Sequence, residues 1–307
     1  MTARPAFDDL PELDGTGVRH GWGVVPYDIG SIANVTPDMV REAAHQVRTG
    51  ETIPLNLAVD AFDPPLFGRR QVEHTVVEAG RNELEDVLSE LNPQASSQLD
   101  GLAHVRAREH GFLGGATSPD EARERSGMHH WARRGIAARG VLLDVERSRT
   151  ATGTARDPFL GDPVHPDELL AVAKEQRVEL RPGDALLVRT GWAAAYLAAD
   201  DGARARGAAS WNGLHAGEDT ARFLWNAQVA LLGCDNPAVE NGPGDRAAGS
   251  LHRRVLPAFG LALMELLDLE RLAARCAELE RWEFLLVSVP VHVVGGVSSP
   301  ANVMAVL

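Results

Sequence analysis

The chain reads as an α/β protein with a largely parallel or mixed sheet. Three observations lead there. Short apolar runs bounded by Gly or charge recur in the second half: Gly140-Val141-Leu142-Leu143-Asp144-Val145, Ala185-Leu186-Leu187-Val188, residues 229–233 and residues 284–289. Runs of this length read as buried strands. Between them lie Pro166–Glu175, residues 216–227 and residues 267–280, which carry helical spacing. Strands alternating with helices build a sheet flanked by helices. Finally, 307 residues with 44% hydrophobic and 24% charged side chains suffice for a large core without disulfides or a structural metal.

The first half is less regular. Residues 1–20 are polar and rich in Asp, Gly and Pro, and read as an arm. Thr36 is an N-cap with Pro37 at the first helical position, which predicts a helix over residues 37–47. Ala43, Ala44 and Val47 give that helix a weak apolar face. Residues 53–57 and 72–77 look like short strands, broken by Asp63-Pro64-Pro65. Residues 83–91 read as a short helix or turn, and the Gly-rich residues 111–127 as a loop. Arg181-Pro182-Gly183-Asp184 is a turn ahead of the next strand. The early strands are expected to extend the main sheet or to form a small companion sheet. No linker or repeat interrupts the chain, so residues 1–307 read as one domain, with residues 1–50 as an arm and helix packed on it.

Composition narrows the partners. A formal net charge of −13 repels phosphate backbones and anionic membrane surfaces, so no nucleic acid or membrane partner is expected. No stretch of about 18 apolar residues is present, as a membrane span would need. The acidic residues within Met1 to Pro11 do not fit a signal peptide. The two cysteines, Cys234 and Cys276, have no CxxC spacing. Cys234 lies in an apolar run and reads as a buried thiol, which fits a reducing cytoplasm.

Two clusters carry candidate chemistry. The first is Gln94-Ala95-Ser96-Ser97-Gln98-Leu99-Asp100-Gly101-Leu102-Ala103-His104. On an extended strand Gln98 and Asp100 project to the same side, and a turn after Asp100 lets His104 swing back toward them. A carboxylate, an amide oxygen and an imidazole converging make a divalent-metal shell, and a hydrogen-bonded polar loop is the competing reading. The second cluster is His252-Arg253-Arg254 followed by Glu265. Taken singly, His252 reads as a capping or core histidine and Glu265 as a helix-start residue. There is no GxGxxG, Walker loop or GxSxG elbow, and Ser97 and Ser298 lack a local base.

Together with their neighbours, these clusters resemble the cyclase family, which includes kynurenine formamidase and isatin hydrolase-like enzymes. The family's metal motif reads His-Thr-Gly-Thr-His-x-Asp-x-Pro-x-His. Its Asp falls on Asp100 and its last His on His104. The downstream His-Arg and Glu resemble His252-Arg253 and Glu265. Further resemblances follow in order: Trp22-Gly23 and Thr36-Pro37, Arg139-Gly140-Val141-Leu142-Leu143-Asp144, Pro182-Gly183-Asp184, Gly233-Cys234-Asp235, and Gly295-Gly296-Val297-Ser298-Ser299-Pro300. Two motif histidines are replaced by Gln94 and Gln98, and the motif proline by Leu102.

The resemblance implies the swivelling β/β/α fold, with a mixed central sheet flanked by helices, and a homodimer or homotetramer. It implies a hydrolase that opens a cyclic or N-acyl amide, lactam or lactone with metal-activated water. One divalent ion, Mn²⁺ or Zn²⁺, is expected on Gln98, Asp100, His252 and Glu265. Amide oxygens favour the harder ion. His104 is the expected proton shuttle, and Asp100 a ligand that also orients water. His20, Trp22, Gln94 and Trp131 are the expected substrate contacts. Ring closure by a cyclase or dehydratase, or a non-catalytic small-molecule-binding member of the fold, are the alternative functions.

Overall fold

The structure, a computed structural model, describes residues 4–307; Met1 to Ala3, the start of the expected arm, lie outside the described residues. Its centre is a nine-stranded mixed sheet. In chain order the strands are β1 (Thr52–Pro54), β2 (Gln98–Asp100), β3 (Ile136–Asp144), β4 (Ala185–Arg189), β5 (Leu231–Cys234), β6 (Ala262–Glu265), β7 (Glu283–Ser288), β8 (Ser298–Pro300) and β9 (Val303–Val306). Across the sheet they run β8-β2-β6-β5-β4-β3-β7-β9-β1. The four central strands β3, β4, β5 and β6 are mutually parallel. Every other pairing in this sheet is antiparallel.

That layout explains the sequence patterns. Strands covered on both faces are apolar throughout; Leu186, Leu187, Leu231 and Leu232 are fully buried. Strand β7, nearer the edge, alternates buried and half-buried residues instead. The crossovers carry helices, among them Pro166–Glu175, Trp192–Ala198, Glu218–Asn226, Leu251–Phe259 and Glu270–Leu279.

Local signals set several of these elements. The Thr36 side chain accepts from the Met39 amide and caps the helix Pro37–Ala44. Proline at the first position suits that helix because its missing N–H has no helical partner there. The helix Leu251–Phe259 starts at the Ser250 cap and stops at Gly260, whose φ of 66° is left-handed and favours glycine. The chain then enters β6 almost at once. Gly30 lies against that stop, where a Cβ would fall 2.1 Å from the Gly260 carbonyl oxygen.

The arm is bound more tightly than its polar composition suggests. Phe7 and Leu10 are buried in the core. The Trp225 indole donates to the Pro5 carbonyl at 2.9 Å, and the Phe7 amide donates to the Asn226 side chain at 2.9 Å. Farther along, the Gly21 amide donates to the Ala258 carbonyl at 2.8 Å. These bonds staple the arm to the two helices behind the site.

The structure corrects three expectations. Residues 83–91 are not a helix or turn: Glu83–Ser89 is a strand that pairs with Glu73–Gly80 in an exposed hairpin separate from the main sheet. Within it the β-branched Val87 favours extended backbone. The Gly-rich stretch 111–127 is not all loop, because Ser118 caps a helix over Pro119–Ser126. Glu265, which taken singly reads as a helix start, is instead the last residue of β6, reached from the helix Leu251–Phe259 through the Gly260 stop.

Candidate metal centre

Three of the expected ligands lie on two paired strands. In the antiparallel pair β2/β6, Gln98 sits opposite Glu265 and Asp100 opposite Leu263. Cross-strand partners share a face, and so do residues two apart. Gln98, Asp100 and Glu265 therefore all project to one side. They are 0%, 1% and 2% exposed. Glu265 is the last residue of β6, at the carboxyl end of the parallel strands, where open α/β sheets bind ligands. The next residue, Leu266, has a φ of 54°, a left-handed conformation uncommon for leucine. It is held there by the Asn236 carbonyl, which accepts its amide at 3.0 Å, and by the Ser97 hydroxyl, which donates to its carbonyl at 2.5 Å.

His252 arrives from the first turn of the helix Leu251–Phe259. Its Nε2 is 2.8 Å from Glu265 Oε1 and 3.9 Å from Asp100 Oδ2. Asp100, His252 and Glu265 place ligand atoms within 4.8 Å of one another. The Gln98 amide nitrogen donates to Glu265 Oε2 at 2.7 Å. Two buried acceptors in the cluster, Gln98 Oε1 and Asp100 Oδ2, have no hydrogen-bond partner among the described residues. A buried oxygen left unpaired is costly unless a cation or water meets it. The donor set, two carboxylates, an imidazole and an amide oxygen, suits a divalent ion of the Mn²⁺ or Zn²⁺ class. The residues present fit such an ion.

Electrostatics agree with that chemistry. Burial and the neighbouring Asp100 carboxylate push the Glu265 pKa up to about 7. Burial lowers the His252 pKa, but Glu240 and Glu265 together outweigh it and hold it well above the usual imidazole range. The site thus gathers negative charge that a cation would relieve.

His104 stands beside the trio. Its Nε2 is 3.8 Å from Asp100 Oδ2, and its side chain is 28% exposed, so it reaches solvent where Asp100 does not. The Gln94 side-chain nitrogen lies 3.1 Å from Asp100 Oδ1 and 3.1 Å from His104 Nε2, linking the two.

Two functional side chains escaped the sequence reading. Glu240 holds His252: its Oε2 takes Nδ1 at 2.8 Å and the backbone amide at 2.9 Å. Its Oε1 accepts from the Ser250 hydroxyl at 3.1 Å. A carboxylate on one imidazole nitrogen sets the tautomer and aims the other nitrogen at a metal. Arg69 is the second. It donates to the Gln94 carbonyl. Burial lowers its pKa, while the Glu265 and Asp100 carboxylates pull it back up. Neither residue lies in a recognisable motif, so only the fold brings them in.

The expected substrate contacts divide. Trp131 is a correction: it is 1% exposed, its indole donates to the Ile29 carbonyl at 3.0 Å, and it belongs to the core. As a large apolar side chain at the start of a strand-bound helix, it packs inward. Trp22 donates to the Pro257 carbonyl at 2.7 Å, and His20 stacks on it with ring centroids 4.6 Å apart. They brace the far end of the His252 helix. Two clefts flank the near end of that helix, at Ser250. One of about 530 Å³ is lined by Thr16, Val18, Arg108, Arg246 and Arg253. The other, of about 300 Å³, is lined by Trp211, Glu240 and Gly242. The arm therefore borders a cleft through Thr16 and Val18, while His20 and Trp22 line neither of the two.

Comparison with known proteins decides the family. The Cyclase family model matches residues 33–241, about two-thirds of the chain. The chain belongs to the cyclase family. A crystal structure described as a novel cyclase is 26% identical, with a TM-score of 0.81, covering 94% of this chain and 99% of that one. The cyclase fold, its mixed sheet flanked by helices, is thus the fold of this chain. At lower identity the likeness is one of fold alone. An isatin hydrolase bound to the product analogue thioisatinate is 15% identical, with a TM-score of 0.58 over 89% of this chain and 99% of that one. Isatin hydrolase A from Labrenzia aggregata, bound to benzyl benzoate, is 16% identical, with a TM-score of 0.57 over 86% of this chain and 94% of that one. No curated protein matches the chain. Among the described residues, no helix is long and apolar enough to cross a membrane.

Proposed function

We propose that this cyclase is a metal-dependent hydrolase that opens a cyclic or N-acyl amide, lactam or lactone. The observation that carries the reading is the pair of unpartnered buried oxygens, Gln98 Oε1 and Asp100 Oδ2, in the same cluster as His252 and Glu265. A bound divalent ion supplies Lewis acidity and makes water available as a nucleophile near neutral pH.

The protein's own residues do the rest. Asp100, Glu265, His252 and the Gln98 carbonyl hold the ion. Glu240 fixes the His252 ring. His104, partly exposed and within reach of Asp100, takes the proton from the attacking water and returns it to the leaving nitrogen or oxygen. Gln94 keeps His104 and Asp100 in register. Arg69 moderates the carboxylate charge of Glu265 and Asp100. The cleft lined by Trp211, Glu240 and Gly242, which reaches the carboxylate that holds His252, is the proposed entrance for a small-molecule substrate. A homodimer or homotetramer in the cytoplasm is the proposed form.

The test is elemental analysis of purified protein, followed by a hydrolysis screen of lactones, lactams and N-formyl arylamines. One divalent ion at this cluster and ring opening or deformylation are expected; Asp100→Ala loses that equivalent and the turnover. An Asp100→Ala variant that holds as many equivalents of metal as wild type would overturn the ligand assignment. A second reading rests on a different observation. Glu265 is already met by His252 at 2.8 Å and by the Gln98 amide at 2.7 Å. That arrangement is close to self-sufficient and would suit a binding protein of the same fold. Such a protein would hold no ion and would show no turnover in the same screen.

A further inference from the structure

We propose that His165, His215 and Asp219 form a second divalent-metal site, on the surface and sharing no residue with the first, that takes a borderline ion such as Zn²⁺.

The site follows from strand register. The short strands Pro163–Val164 and Gly213–Leu214 pair in parallel, with Val164 opposite Leu214. The next residues are His165 and His215, so the two imidazoles leave the pair side by side. The His215 amide donates to the Val164 carbonyl at 2.9 Å and continues the register. The ring centroids are 4.3 Å apart and tilted by 35°. Asp219 stands four residues beyond His215, in the first turn of the helix Glu218–Asn226. Its Oδ1 lies 2.7 Å from His215 Nδ1 and its Oδ2 3.1 Å from His165 Nδ1.

These spacings are close to those of a coordination shell. Zinc holds imidazole nitrogen and carboxylate oxygen at about 2.0–2.2 Å in tetrahedral geometry, which sets neighbouring donors about 3.3 Å apart. The two His–Asp separations lie within about 0.6 Å of that spacing, and all three ligand atoms lie within 4.8 Å of one another. Both imidazoles turn Nδ1 to the same carboxylate. On binding, each neutral ring carries its proton on the outward Nε2 instead, and Nδ1 is freed as a donor. Two nitrogens and one oxygen suit Zn²⁺, Cu²⁺ or Ni²⁺ and not Mg²⁺.

Gly217 adds an independent observation. A Cβ there would lie 2.4 Å from His215 Cε1, 2.8 Å from His215 Nδ1 and 2.8 Å from Asp219 Oδ1. Any side chain at that position would fill the space between the two ligands. The side chains are 50%, 26% and 43% exposed for His165, His215 and Asp219, so water can complete the shell. A bound ion would pin the end of the strand pair to the start of the following helix.

The test uses the full chain, stripped with a chelator, dialysed against Zn²⁺ and measured by elemental analysis. Asp100→Ala is expected to keep one equivalent. Adding His165→Ala and His215→Ala to it removes that equivalent, and so does adding Asp219→Asn. Cu²⁺ loaded into Asp100→Ala should show hyperfine coupling to two nitrogens in its electron paramagnetic resonance spectrum. Zero equivalents in Asp100→Ala would overturn the proposal, as would an equivalent that survives loss of both histidines. The three side chains are partly exposed, so the fold should persist, which circular dichroism checks. A wild-type chain holding a single equivalent that only the histidine substitutions remove would support this site and refute the metal at Asp100.

Discussion

Glu265→Gln in the metal-free protein isolates the electrostatic cost built into the first site. The Glu265 pKa is raised from 4.5 to about 7. One pKa unit corresponds to about 1.4 kcal/mol, so the ionised carboxylate destabilises the folded apoprotein by about 3 kcal/mol. The sign follows from linkage. A carboxyl whose folded pKa is raised binds more protons folded than unfolded. Stability is therefore lost as pH rises from about 4.5 to about 7 and levels off above. His252, also raised, contributes in the same direction, with stability lost as pH rises through its folded pKa. The substituted glutamine is isosteric, can still accept from Gln98 and can donate to His252 when Nε2 of that ring is unprotonated. With an unfolding entropy of about 0.6 kcal/mol/K for a chain this long, 3 kcal/mol is roughly 5 °C. Thermal unfolding of chelator-treated wild type and variant, followed across pH 4.5 to 8, should show the variant more stable by about that amount near neutral pH and level with wild type at the acid end. Parallel curves would refute the reasoning, because Glu265 would then ionise without cost. With Zn²⁺ or Mn²⁺ present, the order should reverse, since only wild type keeps the full carboxylate set.

Three further outcomes are expected. His104→Ala should cut turnover by about 10²- to 10⁴-fold with metal content unchanged; parallel loss of metal by elemental analysis would make His104 a ligand. Gln98→His should shift competitive loading toward Zn²⁺, because imidazole is the softer donor, and an unchanged Mn-to-Zn ratio would mean that Gln98 does not touch the ion. Arg139→Met should destabilise the fold by about 3–5 kcal/mol in denaturant melts. It strands Asp184, which is 3% exposed and whose pKa burial already pushes up to about 6; adding Asp184→Asn should recover part of the loss.

What the sequence could and could not show follows from where each signal lives. The buried strands β3, β4, β5 and β7 were legible because apolar runs punctuated by Gly and Asp have few other readings. Gln98, Asp100, His252 and Glu265 were legible because a family pattern ties two segments far apart in sequence, and the structure brings those segments together as β2, β6 and the helix before it. The exposed hairpin Glu73–Gly80/Glu83–Ser89 was only half legible. Both its faces meet solvent, so no alternation of apolar and polar residues marks the second strand. Trp131 was misread because a tryptophan beside two histidines looks the same in sequence whether it lines a pocket or fills a core. Glu240 and Arg69 were illegible: each acts through contacts that exist only after folding.

Glu240 also shows how one site can be poised between two states. It accepts from His252 Nδ1, from the His252 amide and from Ser250, and so fixes both the helix start and the ring. That leaves Nε2 facing Asp100 and Glu265. Without an ion, a proton on Nε2 makes His252 the cation that Glu265 requires, and the raised His252 pKa favours that state. With an ion, the same nitrogen must give up its proton and become a donor. Proton and metal therefore compete for one atom, so loading should release a proton and weaken as pH falls. Gln98 takes part in the same exchange. Its amide N–H already satisfies Glu265 in the protonated state, while its carbonyl oxygen stays unpaired. An imidazole at position 98 would also offer one N–H and one bare atom, but that atom is a nitrogen, the softer donor. The glutamine therefore suits a site that stays folded when empty and still offers a neutral oxygen when an ion arrives.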